Sequence, residues 1–336
     1  MNRYLKGRKK ITRLSSCLLL VGAFTINTAA ALEQPSSFKP DQGKLLATHG
    51  ISTFDGAGGG GLVPWALITG GGSRDSWGVN THLTSITLPS YQINSYGFAV
   101  GLFDRVELSY ADQQLNGTSG PLTGLKINQE VWGAKVKLFG DAVYNQDSWI
   151  PQVSAGLLYH NYGGVKSEKT PVLPQSLTGQ ATDPVPYASH NNGTEYYIAA
   201  TKLFLAQSLL VNATVRFTKA NQLGLLGFGS PGNDSYEPMF ETSVAYLLRH
   251  DIAIGVEYRM RPNNLENLQG HPLSVSSIDA EEDAWDIFAA WFPTKNVSLA
   301  VAYVDLGVIL NPGQTALGMP NPKKQHGAYL SMQVGF

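Results

Sequence analysis

The chain ends in the stretch Gly327-Ala-Tyr-Leu-Ser-Met-Gln-Val-Gly-Phe336. Every second residue of this stretch is apolar, and the apolar set is Ala328, Leu330, Met332, Val334 and Phe336. The residues between them are smaller or more polar. Successive side chains of a strand point to opposite sides, so a period of two residues predicts a β-strand with one apolar and one more polar face.

The same alternation fills the chain upstream. Windows with one apolar face occur at residues 91–103, 106–110, 125–139, 149–161, 209–218, 252–260, 285–291 and 297–303. None of them repeats with the period of a helix. Strands of about ten residues with a lipid-facing and a lumen-facing side are typical of outer-membrane barrels. We therefore predict an all-β fold, a transmembrane antiparallel up-and-down β-barrel. We interpret residues 327–336 as its C-terminal assembly strand, which the barrel-assembly machinery reads.

The spacing of the strands predicts their number. Tight connections occur near Asp104 and at residues 206–208, 249–251 and 293–295. Long connections occupy residues 163–193, 220–237, 262–283 and 311–325. Short periplasmic turns and longer extracellular loops alternate in this way in outer-membrane barrels, and the rhythm gives about 14 strands, with roughly 12 to 16 possible. The last strand then ends on the periplasmic side.

The N-terminal residues predict export. Basic residues precede a short apolar run at residues 18–24, and Ala29-Ala30-Ala31 supplies small residues for cleavage. This arrangement is typical of a signal peptide, whereas the apolar run is too short for a membrane anchor helix. We predict a signal peptide at residues 1–31, a short periplasmic lead at 32–43 and an outer-membrane barrel at 44–336.

Charge and composition exclude several classes of protein. The predicted signal holds six of the 24 basic residues and none of the 25 acidic ones, which leaves 18 against 25 and a net charge of −7. An acidic mature chain is poorly suited to binding nucleic acid. Cys17 leaves with the signal, so the mature chain can form no disulfide. No run of about 18 apolar residues follows the signal, which excludes inner-membrane helices.

The first barrel strand has the weakest alternation. Residues 44–54 are the candidate, although they alternate poorly, and we predict that they pair with the last strand to close the barrel. The polar lead at residues 32–42 is too short to form a substantial plug. The run Gly58-Gly59-Gly60-Gly61 predicts a tight turn or bulge, where glycine lets backbones approach closely. A phosphate-binding loop is disfavoured, because no Lys-Ser/Thr pair and no helix pattern follow.

Two sequence segments resemble a known family. They are GKLLATHGIS at residues 43–52 and GAGGGGLVPWALITG at residues 56–70. Together with the C-terminal phenylalanine, they resemble an uncharacterised proteobacterial outer-membrane β-barrel family, domain of unknown function number 3034. The resemblance covers most of the mature chain and implies a barrel and an outer-membrane location. The family has no established activity, so the resemblance implies no catalytic residue.

Charged side chains on the polar faces of the strands are candidates for lining the lumen. By strand parity, eight charged residues and one histidine point inward: Glu107, Lys135, Lys137, His160, Arg216, Glu241, Glu257, Arg259 and Asp286. Such charges cost little in a water-filled lumen and would be expensive facing lipid. They could form a constriction that selects solutes by charge, or a network of salt bridges that braces the barrel.

The sequence leaves the function open between three hypotheses. The first is a passive, porin-like channel for small solutes, hydrophobic compounds included. The second is a barrel enzyme acting on lipid or peptide, for which His160 beside Asn161 is a candidate. The third is a structural or adhesive barrel that acts through its extracellular loops. No metal-binding or hydrolase motif is present, so we expect no metal, no cofactor and no catalytic residue. Expected partners are outer-membrane lipid, lipopolysaccharide, the barrel-assembly machinery and periplasmic chaperones, and no nucleic acid.

Overall fold

The computed structural model of the chain describes residues 43–48, 50–119, 123–167, 188–230, 232–264, 281–307 and 324–336. The predicted signal peptide lies outside these residues, as does the predicted lead except for Gly43, and both stay predictions. No helix in these ranges is long and apolar enough to cross a membrane.

The described residues form a closed antiparallel barrel. Its 12 strands are Trp77–Thr87 (β3), Tyr91–Leu102 (β4), Val106–Gly117 (β5), Leu125–Phe139 (β6), Gln152–Ser167 (β7), Gly193–Phe204 (β8), Leu209–Thr218 (β9), Glu237–Arg249 (β10), Ile252–Arg259 (β11), Ala284–Trp291 (β12), Val297–Asp305 (β13) and His326–Gly335 (β14). Consecutive strands are neighbours, and β14 pairs with β3 to close the barrel. Two short strands, Ile51–Ser52 (β1) and Gly58–Gly59 (β2), pair with each other. The predicted fold class is confirmed, and the strand number lies at the lower end of the predicted range.

The prediction that residues 44–54 form the first barrel strand and close the barrel is wrong. The closing partner of the last strand is β3, in which Leu83 faces Met332 and Ser85 faces Leu330. The physical reason is that residues 51–54 are buried on all sides, since Ser52, Thr53 and Phe54 are at most 1% exposed. A barrel strand must present every second side chain to lipid, and this segment has no such face.

The outer surface of the barrel is apolar, as in a protein that faces lipid. Large apolar side chains project outward from the strands and are exposed, among them Leu83, Phe98, Leu108, Trp132, Val136, Leu157, Ile198, Phe240, Val244, Val256, Ile287, Val301, Leu330 and Met332. The side chains between them point inward and are mostly polar and buried. This arrangement is the reverse of that in soluble proteins, which bury their large apolar residues and expose their charged ones.

The connections differ between the two ends of the barrel. At one end, which we call the turn end, the strands are joined at residues 103–105, 140–151, 205–208, 250–251 and 292–296. At the other end, the loop end, the connections include residues 168–192, 219–236, 260–283 and 306–325. The predicted tight and long connections lie at opposite ends, but residues 140–151 form a long connection at the turn end, and residues 88–90 and 118–124 form short ones at the loop end. By the rule for outer-membrane barrels, the turn end faces the periplasm and the loop end faces outward.

The space inside the barrel is occupied by the chain that precedes β3. We call residues 43–48 and 50–76 the inner segment. It contains β1, β2 and the glycine run, and its apolar side chains Phe54, Leu62, Val63 and Trp65 are at most 5% exposed. In small barrels of about eight strands the wall's own side chains fill the interior. In this wider barrel a separate piece of chain fills it.

Candidate functional site: the filled lumen

All nine candidate lumen-lining residues point into the barrel. Their exposed fractions are between 1% and 8%, and Lys137 is the most exposed. They come from seven strands, β5, β6, β7, β9, β10, β11 and β12. The structure brings most of them together around the inner segment, so they contact protein groups and are nearly inaccessible to water.

Glu107 and Lys135 bind the backbone of the inner segment. The two side chains pair with each other, with 2.9 Å between Nζ and Oε2. Glu107 accepts hydrogen bonds of 2.8 Å from the backbone N–H groups of Gly58 and Thr69. Lys135 donates to the carbonyl oxygens of Gly58 at 2.9 Å and Leu67 at 2.7 Å. One buried ion pair thus satisfies four backbone groups at two places along the inner segment.

Glu257 binds the glycine run from the opposite side of the barrel. Its Oε2 accepts a 2.7 Å hydrogen bond from the N–H of Leu62, and its Oε1 accepts one of 2.7 Å from the hydroxyl of Ser243. A Cβ atom at Gly60 would lie 2.0 Å from Oε1 of Glu257. Position 60 therefore needs glycine for this close approach. Asp286 is the cross-strand neighbour of Glu257 and lies beside Gly61.

Two arginines form an ion-pair network in the middle of the lumen. Arg216 pairs with Glu241 at 2.5 Å and with Glu195 at 3.1 Å. Arg259 pairs with Glu241 at 3.3 Å. Nη1 of Arg259 also contacts Oδ2 of Asp55 in the inner segment at 3.0 Å. The network therefore joins four parts of the wall to the inner segment. This arrangement corresponds to the bracing alternative of the sequence analysis, extended to include a docked segment.

Lys137 lies at the turn end, apart from the central network. Its Nζ pairs with Asp104 at 2.8 Å, and Asp104 also pairs with Lys44 at 2.9 Å. Nζ of Lys44 donates in addition to the carbonyl of Ile68 at 2.6 Å. Burial lowers the pKa of the Lys44 amine, and the pairing with Asp104 opposes this effect. Asp104 thus connects the start of the inner segment to the rim of the barrel.

His160 forms a buried pair without a nucleophile. Its Nε2 lies 2.9 Å from Oε2 of Glu195, and its ring packs against Phe228 in a tilted arrangement, with 5.5 Å between centroids and 57° between the ring planes. A hydrolytic site would need a hydroxyl or thiol within hydrogen-bond reach of the imidazole. Across the ranges that the structure covers, no such partner of His160 is found. Within those ranges no group of three or more His, Cys, Asp and Glu side chains could hold a metal ion.

A second part of the chain enters the lumen from the loop end. We call residues 219–230 the mouth loop. Its apolar side chains Leu223, Leu225, Leu226 and Phe228 are buried. Gln129 of β6 donates a 3.1 Å hydrogen bond to the carbonyl of Leu223. The mouth loop therefore closes the barrel from the side opposite to the inner segment.

Sequence reasoning missed both parts of the chain that fill the lumen. The signal for the inner segment was the failure of residues 44–54 to alternate, followed by glycines that let the backbone approach the wall. The signal for the mouth loop was the apolar run at residues 223–228 inside a connection assigned to the extracellular side. Of the long loop at residues 163–193, residues 168–187 lie outside the described ranges.

The geometry defines the class of the protein: a 12-stranded outer-membrane β-barrel with a filled lumen. The chain belongs to the family described as "Protein of unknown function (DUF3034)", whose model matches residues 48–333. The predicted resemblance is confirmed. A comparison with curated proteins found no match.

Solved structures share the barrel architecture. The KdgM porin is 9% identical, with 77% of this chain and 99% of that chain covered and a TM-score of 0.41. The COG4313 outer membrane channel from Pseudomonas putida F1 is 12% identical, with coverage of 82% and 97% and a TM-score of 0.44. Outer membrane phospholipase A from Escherichia coli is 8% identical, with coverage of 77% and 92% and a TM-score of 0.37.

Proposed function

We propose that this protein is a passive outer-membrane channel whose conducting path is closed by the inner segment and the mouth loop. One observation carries the proposal. The wall of the barrel leaves a central space, and that space is filled by chain that precedes the first barrel strand. An obstruction of this kind can move without breaking the wall, whereas side chains that belong to the wall cannot.

The contacts of the inner segment support a movable obstruction. Its polar contacts with Glu107, Lys135, Glu257 and Arg259 are hydrogen bonds and ion pairs, for which water is an alternative partner. Its apolar side chains, such as Phe54 and Trp65, stabilise the closed state by burial. We therefore expect the native protein to conduct in rare, brief events.

The proposal includes the absence of enzymatic activity. A barrel enzyme would need a nucleophile, a base and an orienting group at one rim, and the described residues around His160 and Glu195 supply only the last two. The signal peptide, the role of the last strand in assembly and the contact with lipopolysaccharide are parts of the same proposal, because an outer-membrane channel requires export and insertion.

The test compares two neighbouring glycines of the inner segment in planar bilayers. A Cβ atom at Gly59 would lie 2.3 Å from the carbonyl oxygen of Val63, whereas one at Gly61 would meet its nearest atom, in Tyr329, at 3.3 Å. Gly59→Ala therefore disrupts the inner segment, and Gly61→Ala is the matched control. We expect Gly59→Ala to raise the open probability at least tenfold, and Gly61→Ala to leave it near the native value.

Heat-modifiability on gels checks that both variants keep a folded barrel. The channel proposal fails if folded native protein and folded Gly59→Ala both show no conductance. It also fails if the two glycine variants conduct equally.

A further inference from the structure

The inward side chains of the barrel wall become apolar toward the loop end. Ile86, Ile93, Leu115 and Ile127 are direct cross-strand neighbours on β3, β4, β5 and β6, and all four point inward. Their exposed fractions are 1% to 6%. The charged network lies further toward the turn end. The loop end of the lumen is thus lined on this side by a continuous apolar row, which we call the upper row.

The outer face of the same four strands is polar at this level. The residues that flank the upper row and point outward include Ser85, Asn94, Gln114, Asn116 and Asn128. Nearer the turn end of β5 and β6, the outward residues are apolar, such as Leu108 and Val136, while Glu107 and Lys135 point inward. The polarity of the wall therefore inverts. The upper part has the arrangement of a soluble binding protein, with a wet outside and an apolar inside.

The mouth loop covers the wall at Gln129 of β6, two residues from Ile127 of the upper row. Leu223, Leu225 and Leu226 belong to the same buried apolar cluster as Ile93 and Ile127. In the described residues, the polar ties of the tip of this loop include the bond from Gln129 to the carbonyl of Leu223 and a 3.4 Å bond from the N–H of Gln222 to Glu281. Gln222 and Leu223 have left-handed φ values of 51° and 63°, which side chains disfavour. The tip of this cover thus has two residues in a disfavoured backbone conformation. Its base is held by Asn221, which donates a 2.8 Å hydrogen bond to the carbonyl of Gly229 and accepts one of 3.1 Å from Asn264.

Two buried polar atoms lie beneath the cover. Oε1 of Gln129 and Nδ1 of His160 are buried and have no hydrogen-bond partner among the described residues. They lie 3.1 Å and 2.8 Å from the point where a Cβ of Gly224 would stand. Nε2 of His160 faces Glu195, which leaves Nδ1 as the ring nitrogen that faces the mouth loop. A hydroxyl group suits both atoms, since it can donate and accept a hydrogen bond.

We propose that a small, mostly apolar molecule that carries a hydroxyl group binds beneath the mouth loop when this loop moves aside. The apolar body packs on Ile93, Leu115 and Ile127 in place of the loop leucines, and the hydroxyl forms a hydrogen bond with Oε1 of Gln129 or Nδ1 of His160. Binding itself does not depend on conduction. The further statement that this molecule is the class of solute admitted by the channel rests on the proposed function.

Photolabelling of the full chain in lipid nanodiscs tests the binding site. The probe is a benzyl alcohol that carries a trifluoromethyl-diazirine, and unlabelled benzyl alcohol is the competitor. An apolar probe dissolved in the bilayer labels outward residues such as Leu108 whether or not a site exists. A site labels the inward residues Leu115 and Ile127 or the mouth loop. Because neighbouring residues of a strand face opposite sides, peptide sequencing by mass spectrometry separates the two populations.

The matched variants are Gln129→Leu and Gln114→Leu. Both remove a glutamine from neighbouring strands, but Gln129 points inward beneath the cover, whereas Gln114 points outward and bonds to Tyr96. We expect the competitor to reduce inward labelling at least fivefold in the native protein and in Gln114→Leu. Gln129→Leu lowers this competable labelling by a similar factor.

Outward labelling shows that the probe has reached the protein. If outward residues are labelled and inward ones are not, the binding proposal is overturned. Inward labelling that is unaffected by the competitor or by Gln129→Leu also overturns it. Competable inward labelling in a protein that never conducts keeps the binding site and rejects the channel. Conduction without competable labelling rejects the binding site and keeps the channel.

Discussion

The backbone N–H of Leu62 donates a 2.7 Å hydrogen bond to Oε2 of Glu257, a residue 195 positions further along the chain. The contact gives a wall carboxylate a defined partner inside the barrel. Glu107 does the same for the backbone N–H groups of Gly58 and Thr69. Charges that would select solutes in an open lumen instead hold a segment of backbone. In the proposed channel, the conductance depends on how tightly these carboxylates hold the segment.

Replacing Glu107 by glutamine is expected to release the inner segment. The amide offers one acceptor oxygen where the carboxylate offers two, and it leaves Lys135 without its anion. Removing one partner of a buried ion pair costs about 3–5 kcal/mol. Lys44 is 8% exposed while the segment is docked, so trypsin reaches the bond after it only when the segment undocks. Arg74 follows the docked part, and its side chain is already exposed. We expect cleavage after Lys44 in Glu107→Gln to be at least tenfold faster than in the native barrel.

Glu130→Gln is the control for this experiment. Glu130 lies on the outer face of β6, where it accepts a 3.1 Å hydrogen bond from Asn161. Its replacement keeps the lumen unchanged, so the tryptic rate should equal that of the native protein. Equal rates for Glu107→Gln and Glu130→Gln would show that the carboxylate does not hold the inner segment.

The contact between Arg259 and Asp55 is expected to show coupling in a double-mutant cycle. Their side chains meet at 3.0 Å, and both are at most 3% exposed. Arg259→Gln and Asp55→Asn should each weaken docking of the inner segment. Because each single change leaves the other charge buried, the double variant should be more stable than the sum predicts, by about 0.5–3 kcal/mol. Tryptic protection of Lys44 gives the four free energies. Strict additivity would place Asp55 outside the network.

The period-two pattern identified most of the barrel for a physical reason. On β5, Leu108 faces lipid and Glu107 faces the lumen, so the two solvents impose opposite preferences on neighbouring residues. The last strand shows the same effect, with Leu330 and Met332 outward and Tyr329 and Ser331 inward. Wherever a strand separates lipid from a polar interior, the sequence alternates and the prediction succeeds.

The prediction failed where this contrast disappears. In β3, Ser85 and Thr87 point outward near the loop end and Ile86 points inward, which reverses the pattern within one strand. The inner segment has barrel on every side, so no face of it requires apolar residues. The positions of Glu107 and Glu257 in the lumen followed from parity. Their partners Gly58 and Leu62 could not be predicted, because the segment that contains them was interpreted as part of the barrel wall.

The inversion of polarity along β5 predicts where the membrane ends. Leu108 is exposed in the apolar band, and Gln114 points outward six residues further toward the loop end. Between them lies Tyr110, which packs against Trp132 with 4.6 Å between their ring centroids. Aromatic residues mark the interface of a membrane barrel.

Replacing Leu108 or Gln114 by arginine tests where the membrane ends. An arginine in the middle of the lipid-facing band costs about 2–4 kcal/mol, whereas one near the interface costs about 0–1 kcal/mol. We expect guanidinium unfolding in lipid vesicles to show the larger loss for Leu108→Arg and almost none for Gln114→Arg. A comparable loss at both positions would mean that the polar upper wall is also immersed in lipid.

The mouth loop is expected to open more readily as the pH rises. Glu281 accepts bonds from Gln222 of this loop and from Arg261, and burial raises its pKa to about 7, against the opposing effect of Arg261. Its ordinary value is 4.5. Because the closed state binds the proton more tightly, closure is most favourable below pH 4.5. It loses this advantage progressively until the pH passes about 7.

Hydrogen exchange of the amides of residues 222–227 measures this opening in nanodiscs. After correction for the intrinsic pH dependence of exchange, protection should fall between pH 4.5 and pH 8 in the native protein. Glu281→Gln resembles the protonated acid, so its protection should stay high and independent of pH. Glu282→Gln is the matched control, since Glu282 is 40% exposed and pairs with Lys324 instead. A flat native profile, or an unchanged slope in Glu281→Gln, would show that Glu281 does not control the loop.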